Sequence, residues 1–261
     1  MLQLARTFLG SCVAERACGG FKFALRRASV PAEAVPEHSH ATAHFIYALD
    51  EGYETSALCA AEFGGVCLVY NPPGVVHRDC FDEKSANGRF LAIDFPVEIA
   101  AQGVDHPVVI DSTASRKIAA SIVGLMLEGA SAVDLEDRAL SLITSVSSHT
   151  QHAANKAPPW LERAVAAISD LSNDARLDVN AIARIVNVHP VHLARVCSIH
   201  FGSTPGELLR RRRTERALSL LGSSEPLSDV AAQAGFADQS HMTRAFRSTF
   251  GATPAVIRAA F

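Results

Sequence analysis

The sequence predicts an α+β protein of two domains, with a strand-rich N-terminal half and an all-helical C-terminal half. Two observations support this fold class. Short apolar runs separated by turn-forming clusters fill residues 20–95, and from residue 111 onwards the apolar residues recur with a helical period. The chain has 261 residues, which is enough for two domains that each bury a core.

The N-terminal half contains the apolar runs HFIYAL, GVCLVY and RFLAIDF, with the turn clusters EHSH, DEGYE, YNPPG and EKSANG around them. Several short strands at this spacing favour an antiparallel sandwich or a small barrel. Apolar residues then fall on one helical face over 113–128 and again over 134–148, which predicts two helices after the strands. Ser112 or Thr113 is the expected N-cap of the first.

A segment of the C-terminal half is written twice. The first copy reads IARIVNVHPVHLARVCSIHFGSTP from Ile182, and the second reads VAAQAGFADQSHMTRAFRSTFGATP from Val230. Each copy has the pattern of a helix, a tight turn and a second helix with a polar outer face, which is how a helix-turn-helix unit reads DNA. The segment 207–221 predicts a connecting helix between the copies. The expected organisation is a domain over 1–150, a linker over 151–159 ending in Pro-Pro, and a double helix-turn-helix domain over 160–261.

The two halves differ in charge. Residues 158–261 contain 12 basic residues, all arginine, and 9 acidic ones, whereas residues 1–157 contain 12 basic and 18 acidic residues. Arginine makes bidentate contacts to phosphate and guanine, so the basic half fits a partner of double-stranded DNA. The six cysteines show no CxxC pair and the start of the chain lacks a secretory pattern. We therefore expect a soluble cytoplasmic protein with reduced thiols and no membrane partner.

The outer face of each second helix supplies the candidate DNA contacts. In the second copy these are Gln239, Ser240, His241, Thr243 and Arg244, and in the first copy they are His192 and Arg195. Glutamine can pair with adenine and arginine with guanine, while the threonine methyl suits thymine. A plain solvated helix face is the alternative, and repetition of the whole pattern argues against it. Because Val191 and Ala194 offer only apolar contacts, we expect the second copy to discriminate more strongly between bases.

The segment GFADQSHMTRAFRSTFGATPAVIR, with RRTERALSLL before it, resembles the signature of the AraC/XylS family of bacterial transcription regulators. The resemblance covers residues 160–261 and implies two helix-turn-helix units, joined by one rigid helix, in successive major grooves. It also implies a non-enzymatic regulator that responds to a small-molecule effector and forms a homodimer, with RNA polymerase as a further candidate partner. Arg195 and Arg244 match the family's recognition-helix arginine. Arg213 matches its linker-helix arginine and is expected to be structural, whereas Arg210 to Arg212 are expected to be solvated.

Histidines in the N-terminal half resemble the two motifs of the cupin barrel. They are the H-S-H pair at 38–40, His44, and His77 at the end of PPGVVH. The interpretation we favour is a polar pocket for an organic effector, lined by His38, His40 and His77, with no cofactor required. The alternative is a metal ion such as zinc, nickel, copper or iron(II) held by all four imidazoles.

Two rival functions are compatible with these patterns. One is a metal-dependent cupin enzyme, an isomerase or dioxygenase, with an appended DNA-binding domain. The other is a nucleoid-type structural protein with little sequence preference. Stoichiometric metal with turnover would indicate the first, and equal affinity for all DNA at fixed salt would indicate the second.

Overall fold

In a computed structural model, residues 2–3, 8–58, 66–85, 87–149 and 157–261 are described. The strands are β1 Leu2–Gln3, β2 Ser11–Cys18, β3 Phe21–Arg27, β4 His38–Ser39, β5 Ala43–Ala48, β6 Tyr53–Thr55, β7 Leu68–Asn71, β8 Asp79–Phe81, β9 Arg89–Phe95 and β10 Val108–Val109. The helices are α1 Thr113–Glu128, α2 Ala132–His149, α3 Pro159–Leu171, α4 Val179–Ile185, α5 Pro190–Phe201, α6 Pro205–Leu220, α7 Leu227–Gln233, α8 Gln239–Phe250 and α9 Pro254–Ala260. The expected two-part α+β fold, strands first and helices after them, is confirmed.

The N-terminal domain is built on a six-stranded antiparallel sheet in the order β10-β7-β5-β9-β3-β2. Two short ribbons, β1 with β4 and β6 with β8, accompany it, and a single bridge joins His38 to His77. In the part of the chain that the structure describes, the edge strands β2 and β10 do not pair with each other. The strand-rich domain therefore has an open sheet where a closed barrel was one expectation.

The central strands β5 and β9 are buried along their whole length because both sheet faces are covered. Successive side chains of a strand point to opposite faces. Phe45 and Tyr47 accordingly pack in the large core cluster with α1 and α2, while Ile46 and Ala48 pack in a smaller cluster with Tyr53 and neighbouring residues.

The helix α1 begins where the sequence predicts. The Ser112 side chain accepts a hydrogen bond from the backbone nitrogen of Ser115, so Ser112 is the N-cap. Helix α2 follows and lies against α1, with Leu135 and Leu142 fully buried. Residues 151–156 of the expected linker lie outside the described residues. Among the helices that the structure describes, none is long and apolar enough to cross a membrane.

The C-terminal half contains two helix-turn-helix units joined by α6. The first unit is α4 with α5, the second is α7 with α8, and the two turns use different residues for the same conformation. Asn187 has a φ of 56° in the first turn, and Gly235 has a φ of 81° in the second. Both glycine and asparagine tolerate this left-handed region. Thr204 and Glu207 form a capping box at the start of α6, which fixes the connecting helix predicted over 207–221.

Arg213 holds the first unit to α6. Its guanidinium donates hydrogen bonds to the backbone carbonyls of Ser172, Asp174 and Leu177 at 2.9, 2.8 and 3.0 Å. The side chain is buried, and these carbonyls belong to the end of α3 and the loop before α4. The structural role expected for Arg213 is therefore present, and its partners are backbone carbonyl oxygens.

The second unit shares its hydrophobic core with the N-terminal domain. Met242 and Phe246 of α8 belong to the same buried cluster as the sheet and α1, whereas α3, α4 and α5 form a separate cluster with the start of α6. Helices α1 and α8 approach so closely that a methyl group added at Gly124 would overlap the carbonyl oxygen of Phe250.

Polar contacts cross the same boundary. Arg211 donates to the Thr113 hydroxyl at 2.8 Å, and Arg212 lies 3.0 Å from a carboxylate oxygen of Glu51. Glu215 is paired with both arginines. The expectation that Arg210 to Arg212 are all solvated is therefore wrong for Arg211 and Arg212. Both arginines lie on the side of α6 that faces the N-terminal domain. The pattern of residues along one helix does not show which neighbour that side contacts.

We predict that Gly124→Ala destabilises the protein. Glycine to alanine inside a helix ordinarily stabilises by about 1 kcal/mol. At Gly124 the overlap with Phe250 reverses the sign, and we expect a loss of about 1–3 kcal/mol in the free energy of unfolding. Gly206→Ala in α6 is the matched control, because the nearest atoms there are 3.6 Å away. Denaturant unfolding of both variants measures the difference, and equal stabilities would contradict the close approach.

Candidate DNA-binding surface and histidine cluster

The recognition helix of the second unit is α8. Asp238 is its N-cap and accepts a hydrogen bond from the backbone nitrogen of His241 at 2.6 Å. The buried face of α8 carries Met242, Phe246 and Phe250. Predicted contact residues lie on the other side, where Gln239, Ser240 and Arg244 are exposed and His241 and Thr243 are half-buried.

Two of these side chains are held in place by neighbours. The His241 ring meets the edge of Phe236 with 5.2 Å between ring centroids. The Thr243 hydroxyl donates to the carbonyl of Gln239 at 2.9 Å, so its methyl group is the part left for a base. The outer face of α8 therefore offers an amide, a hydroxyl, an imidazole, a methyl group and a guanidinium.

The recognition helix of the first unit is α5, which starts at Pro190, where the missing N–H of proline costs no helical hydrogen bond. Leu193, Val196 and Cys197 are buried against the unit's core. Val191 is 70% exposed and Arg195 is exposed, so the outer face of α5 is more apolar than that of α8.

A contact that the sequence interpretation missed involves the single tryptophan. The ring of Trp160 lies 5.4 Å from the ring of His192, centroid to centroid. His192 itself is half-buried. The aromatic side chain of Trp160 was the only signal in the sequence, and no periodicity connects position 160 to position 192.

The four histidines of the N-terminal half come together in the interior. Ring centroids are 4.6 Å apart for His38 and His77, 4.5 Å for His40 and His44, and 5.1 Å for His38 and His40. All four side chains are buried. Asp79 joins them, because its carboxylate lies 3.7 Å from Nε2 of His77. Ligand atoms of His38, His40 and His77 all lie within 4.8 Å of one another, as do those of His44, His77 and Asp79.

Asp79 is the acid that the sequence interpretation did not identify. It follows His77 by two residues, and side chains two apart on an extended chain point the same way. The spacing His77-x-Asp79 was the available signal.

Hydrogen bonds fix the orientation of three rings. Nδ1 of His38 lies 3.0 Å from the carbonyl oxygen of Pro36, and Nδ1 of His77 lies 3.0 Å from that of Val75. In each ring Nδ1 donates, so Nε2 carries the lone pair and is available as a ligand atom. Nε2 of His44 instead lies 3.1 Å from the side-chain amide nitrogen of Asn71 and accepts from it. His44 is thereby engaged, which distinguishes it from the other three.

The environment keeps His40 and His44 uncharged. Burial, together with the charges of His77 and His38, lowers the pKa of His40 to about 4. Burial also places the pKa of His44 well below its usual value, with further lowering by the other three histidines and an opposing hydrogen bond to the backbone of Thr42. Neither ring nitrogen of His40 has a hydrogen-bond partner among the described residues. A neutral imidazole with an open lone pair is the form that binds a metal ion.

The cavity beside the cluster is small. It has a volume of about 50 Å³ and is lined by His38, Tyr53, Asp79 and mainly apolar residues, Phe81 and Phe90 among them. An engineered apolar cavity of about 150 Å³ holds benzene. The cavity beside His38 and Asp79 has a third of that volume, which suits an ion or a water molecule better than an organic molecule of that size.

We predict that the metal-free protein loses stability as the pH falls from 6.5 towards 4. Below pH 6.5 the unfolded chain protonates its histidines, while His40 stays neutral in the folded state until about pH 4. The unfolded state therefore binds more protons across this window, and His40 alone accounts for up to about 3 kcal/mol. Denaturant unfolding in the presence of a chelator at pH 7, 6 and 5 measures how the free energy of unfolding changes with pH. His40→Gln should flatten it, His106→Gln should not, and a slope unchanged in His40→Gln would contradict this.

Comparisons with known proteins agree with the geometry of the C-terminal half. Residues 182–260 match the helix-turn-helix domain family HTH_18. The chain is 31% identical over 109 residues to the probable transcription factor PqrA of Proteus vulgaris, an alignment that covers 41% of this chain and 84% of PqrA. It is 37% identical over 84 residues to the HTH-type transcriptional regulator GlxA of Rhizobium meliloti, covering 31% of this chain and 26% of GlxA.

An alignment with a solved structure of ToxT from Vibrio cholerae covers 93% of this chain and 99% of the ToxT chain. The two chains are 11% identical, and the TM-score is 0.40. At that TM-score the likeness does not establish a common fold. The relationship to PqrA does bear on family, because it spans 84% of that regulator, and the helix-turn-helix family match covers both units described above. The chain is a DNA-binding transcription regulator and belongs to the AraC/XylS family.

Proposed function

We propose that this regulator senses a divalent transition-metal ion at the histidine cluster and couples its occupancy to DNA binding. The observation that carries the proposal is the convergence of three buried imidazoles, His38, His40 and His77, whose Nε2 or unpartnered ring nitrogens face one another. The sequence had favoured an organic effector at the same residues. The volume of about 50 Å³ beside them supports an ion instead.

The donor set indicates the kind of metal. Three imidazole nitrogens, from His38, His40 and His77, suit zinc, nickel, copper or iron(II), whereas magnesium and calcium prefer oxygen ligands. The carboxylate of Asp79 groups with His77 and His44 on the other side of His77. A bound cation would offset the cost of leaving the buried ring nitrogens without partners. The carbonyls of Pro36 and Val75 would serve to orient His38 and His77 and raise their basicity.

Metal analysis of the full chain tests this proposal. After purification without chelator, or after addition of Zn²⁺ or Ni²⁺, we expect one ion per chain. His38→Ala with His40→Ala should abolish it, and His106→Ala, an exposed histidine, is the control. If the folded full chain stays free of metal, the proposal of a metal site is rejected. Retention of specific DNA binding in that case would leave the regulator assignment intact.

The DNA target is proposed to contain two half-sites read by α5 and α8, one helical turn apart. Selection of random duplexes on the full chain should enrich a single bipartite motif. Equal recovery of all sequences at fixed salt would instead favour a structural DNA-binding protein.

Further parts of the proposal follow from the family. A DNA-binding regulator of a bacterium works in the cytoplasm and needs no catalytic step, so turnover at the histidine cluster is not expected. A homodimer and a contact with RNA polymerase are retained as expectations. Val133 and Leu140, exposed and seven residues apart on α2, support the dimer because they lie on one helical face.

A further inference from the structure

Both recognition helices carry a histidine as their third residue. Helix α5 begins at Pro190 and α8 begins at Gln239, which places His192 and His241 at the same point of their two helices. Residues in the first turns of a recognition helix are the ones that contact base edges in the major groove. The two histidines are therefore equivalent residues in the part of each helix that approaches the bases.

Each of these imidazoles rests against an aromatic ring. The centroid of the His241 ring lies 5.2 Å from that of Phe236, and the centroid of the His192 ring lies 5.4 Å from that of Trp160. Both histidines are half-buried. Ring pairs at such separations favour the packed orientation of the side chain by about two- to tenfold. The aromatic neighbour thus restricts the directions in which the imidazole points.

The two aromatic neighbours come from different parts of the chain. In the second unit, Phe236 directly follows Gly235, the turn residue with positive φ. Val188 follows Asn187 at the same place in the first unit, and valine has no ring to offer. Trp160, the second residue of α3, supplies the ring there, and its side chain packs against the core of the first unit. Because the two units make the same contact by different means, the contact fits the function that they share, which is DNA binding.

The nitrogen atoms of both imidazoles are left for another partner. Within the described ranges of the chain, no residue exchanges a hydrogen bond with a ring nitrogen of His192 or His241. An imidazole can donate to N7 or O6 of guanine, and it can accept from the amino group of adenine or cytosine. Discrimination between these bases requires the nitrogens to be held in place, and the aromatic neighbour provides that restraint.

We infer that Trp160 is a positioning residue for base recognition, and that it holds the His192 ring so that the ring nitrogens contact one base pair in the half-site read by α5. A side chain whose orientation is fixed before binding loses less rotamer freedom on the DNA, which is equivalent to about two- to tenfold in affinity. The inference rests on the proposed bipartite target, because it requires α5 to read bases.

Competition binding of the full chain against duplexes substituted at each position of the selected motif tests the inference. Trp160→Leu keeps an apolar side chain against the core and removes the ring, whereas Trp160→Phe keeps a ring. We expect His192→Ala to lower discrimination at one base pair by about tenfold. Trp160→Leu should lower it at the same base pair by about three- to tenfold, and Trp160→Phe should retain most of it. Val165→Ala, which alters an exposed apolar residue of α3, is the control and should change nothing.

A double-mutant cycle shows whether Trp160 acts through His192. With His192→Ala already present, Trp160→Leu should have no further effect on discrimination at that base pair. Additive effects of the two substitutions would overturn the inference. So would a Trp160→Leu variant that weakens binding to all duplexes equally, since that result indicates a purely structural role.

Fluorescence follows the contact without altering α3, because Trp160 is the single tryptophan of the chain. His192→Ala should change its emission in the free protein, and His241→Ala, whose ring lies against Phe236, should not. Equal emission from wild type and His192→Ala would overturn the inference. A selected motif without the half-site of α5 would reject the bipartite target as well, whereas a bipartite motif with an unaffected Trp160→Leu would reject the inference alone.

Discussion

Arg213→Ala is expected to cost about 3–5 kcal/mol of stability and to unfold the first helix-turn-helix unit before the rest of the chain. The substitution removes three hydrogen bonds from a buried charged donor, and it leaves the carbonyls of Ser172, Asp174 and Leu177 without that partner. Hydrogen bonds to charged groups contribute about 1.5–3 kcal/mol each, and buried acceptors left unsatisfied add to the loss. Denaturant unfolding followed by tryptophan fluorescence measures it, since Trp160 belongs to the same helical cluster.

Two further substitutions test whether the hydrogen bonds of Arg213 cause this loss of stability. Arg213→Lys keeps the charge and loses the planar fork, so it should recover only part of the stability. Arg212→Ala removes the ion pair with Glu51, a residue that is 53% exposed, and a longer pair with Glu215 at 3.7 Å, which keeps Arg211 and Arg116 as partners. It should cost clearly less than Arg213→Ala. If Arg212→Ala lowered the stability as much as Arg213→Ala, the buried hydrogen bonds to the carbonyls would not explain the loss.

Arg244→Ala is expected to weaken binding to the selected duplex by about 1–3 kcal/mol and to relax preference at one base pair. Arg244 is exposed on the outer face of α8, where its guanidinium can pair with O6 and N7 of guanine. Binding to unrelated duplexes should change little. Competition binding of the full chain against duplexes substituted at each position of the motif is the measurement.

Arg247→Ala serves as the matched control for Arg244→Ala. Arg247 is an exposed arginine three residues after Arg244 on α8, and it lies outside the predicted contact set. Uniform weakening on every sequence in Arg244→Ala would identify a phosphate contact and contradict base readout. Arg195→Ala in the first unit should relax specificity less than Arg244→Ala does, because α8 offers more hydrogen-bonding groups than α5. That ranking stays a prediction.

Local features of this fold were predictable because short-range physics determines them. Ser112 caps α1, Pro190 starts α5, and Gly235 takes the positive φ that its turn requires. Each of these depends on one residue and the next few along the chain. The two helix-turn-helix copies were equally predictable, because the repeat is visible in the sequence itself.

Contacts between distant segments were not predictable in the same way. Arg211 and Arg212 face the N-terminal domain, and the ring of Trp160 meets His192, but nothing in a helical period specifies the partner of an exposed face. Asp79 illustrates an intermediate case. Its spacing from His77 was visible, yet only the fold places both beside His44.

The shared core has a consequence for how this molecule melts. Helix α6 contributes Leu208 and Leu209 to the cluster of the first unit, and Ala217 and Leu218 to the cluster that includes the sheet. The cooperative boundary therefore runs through the middle of one continuous helix and does not follow the peptide linker before α3. Heat should release α3, α4 and α5 as one small block while the sheet, α1 and α8 come apart together, and a fragment cut at the linker would carry an exposed half-core.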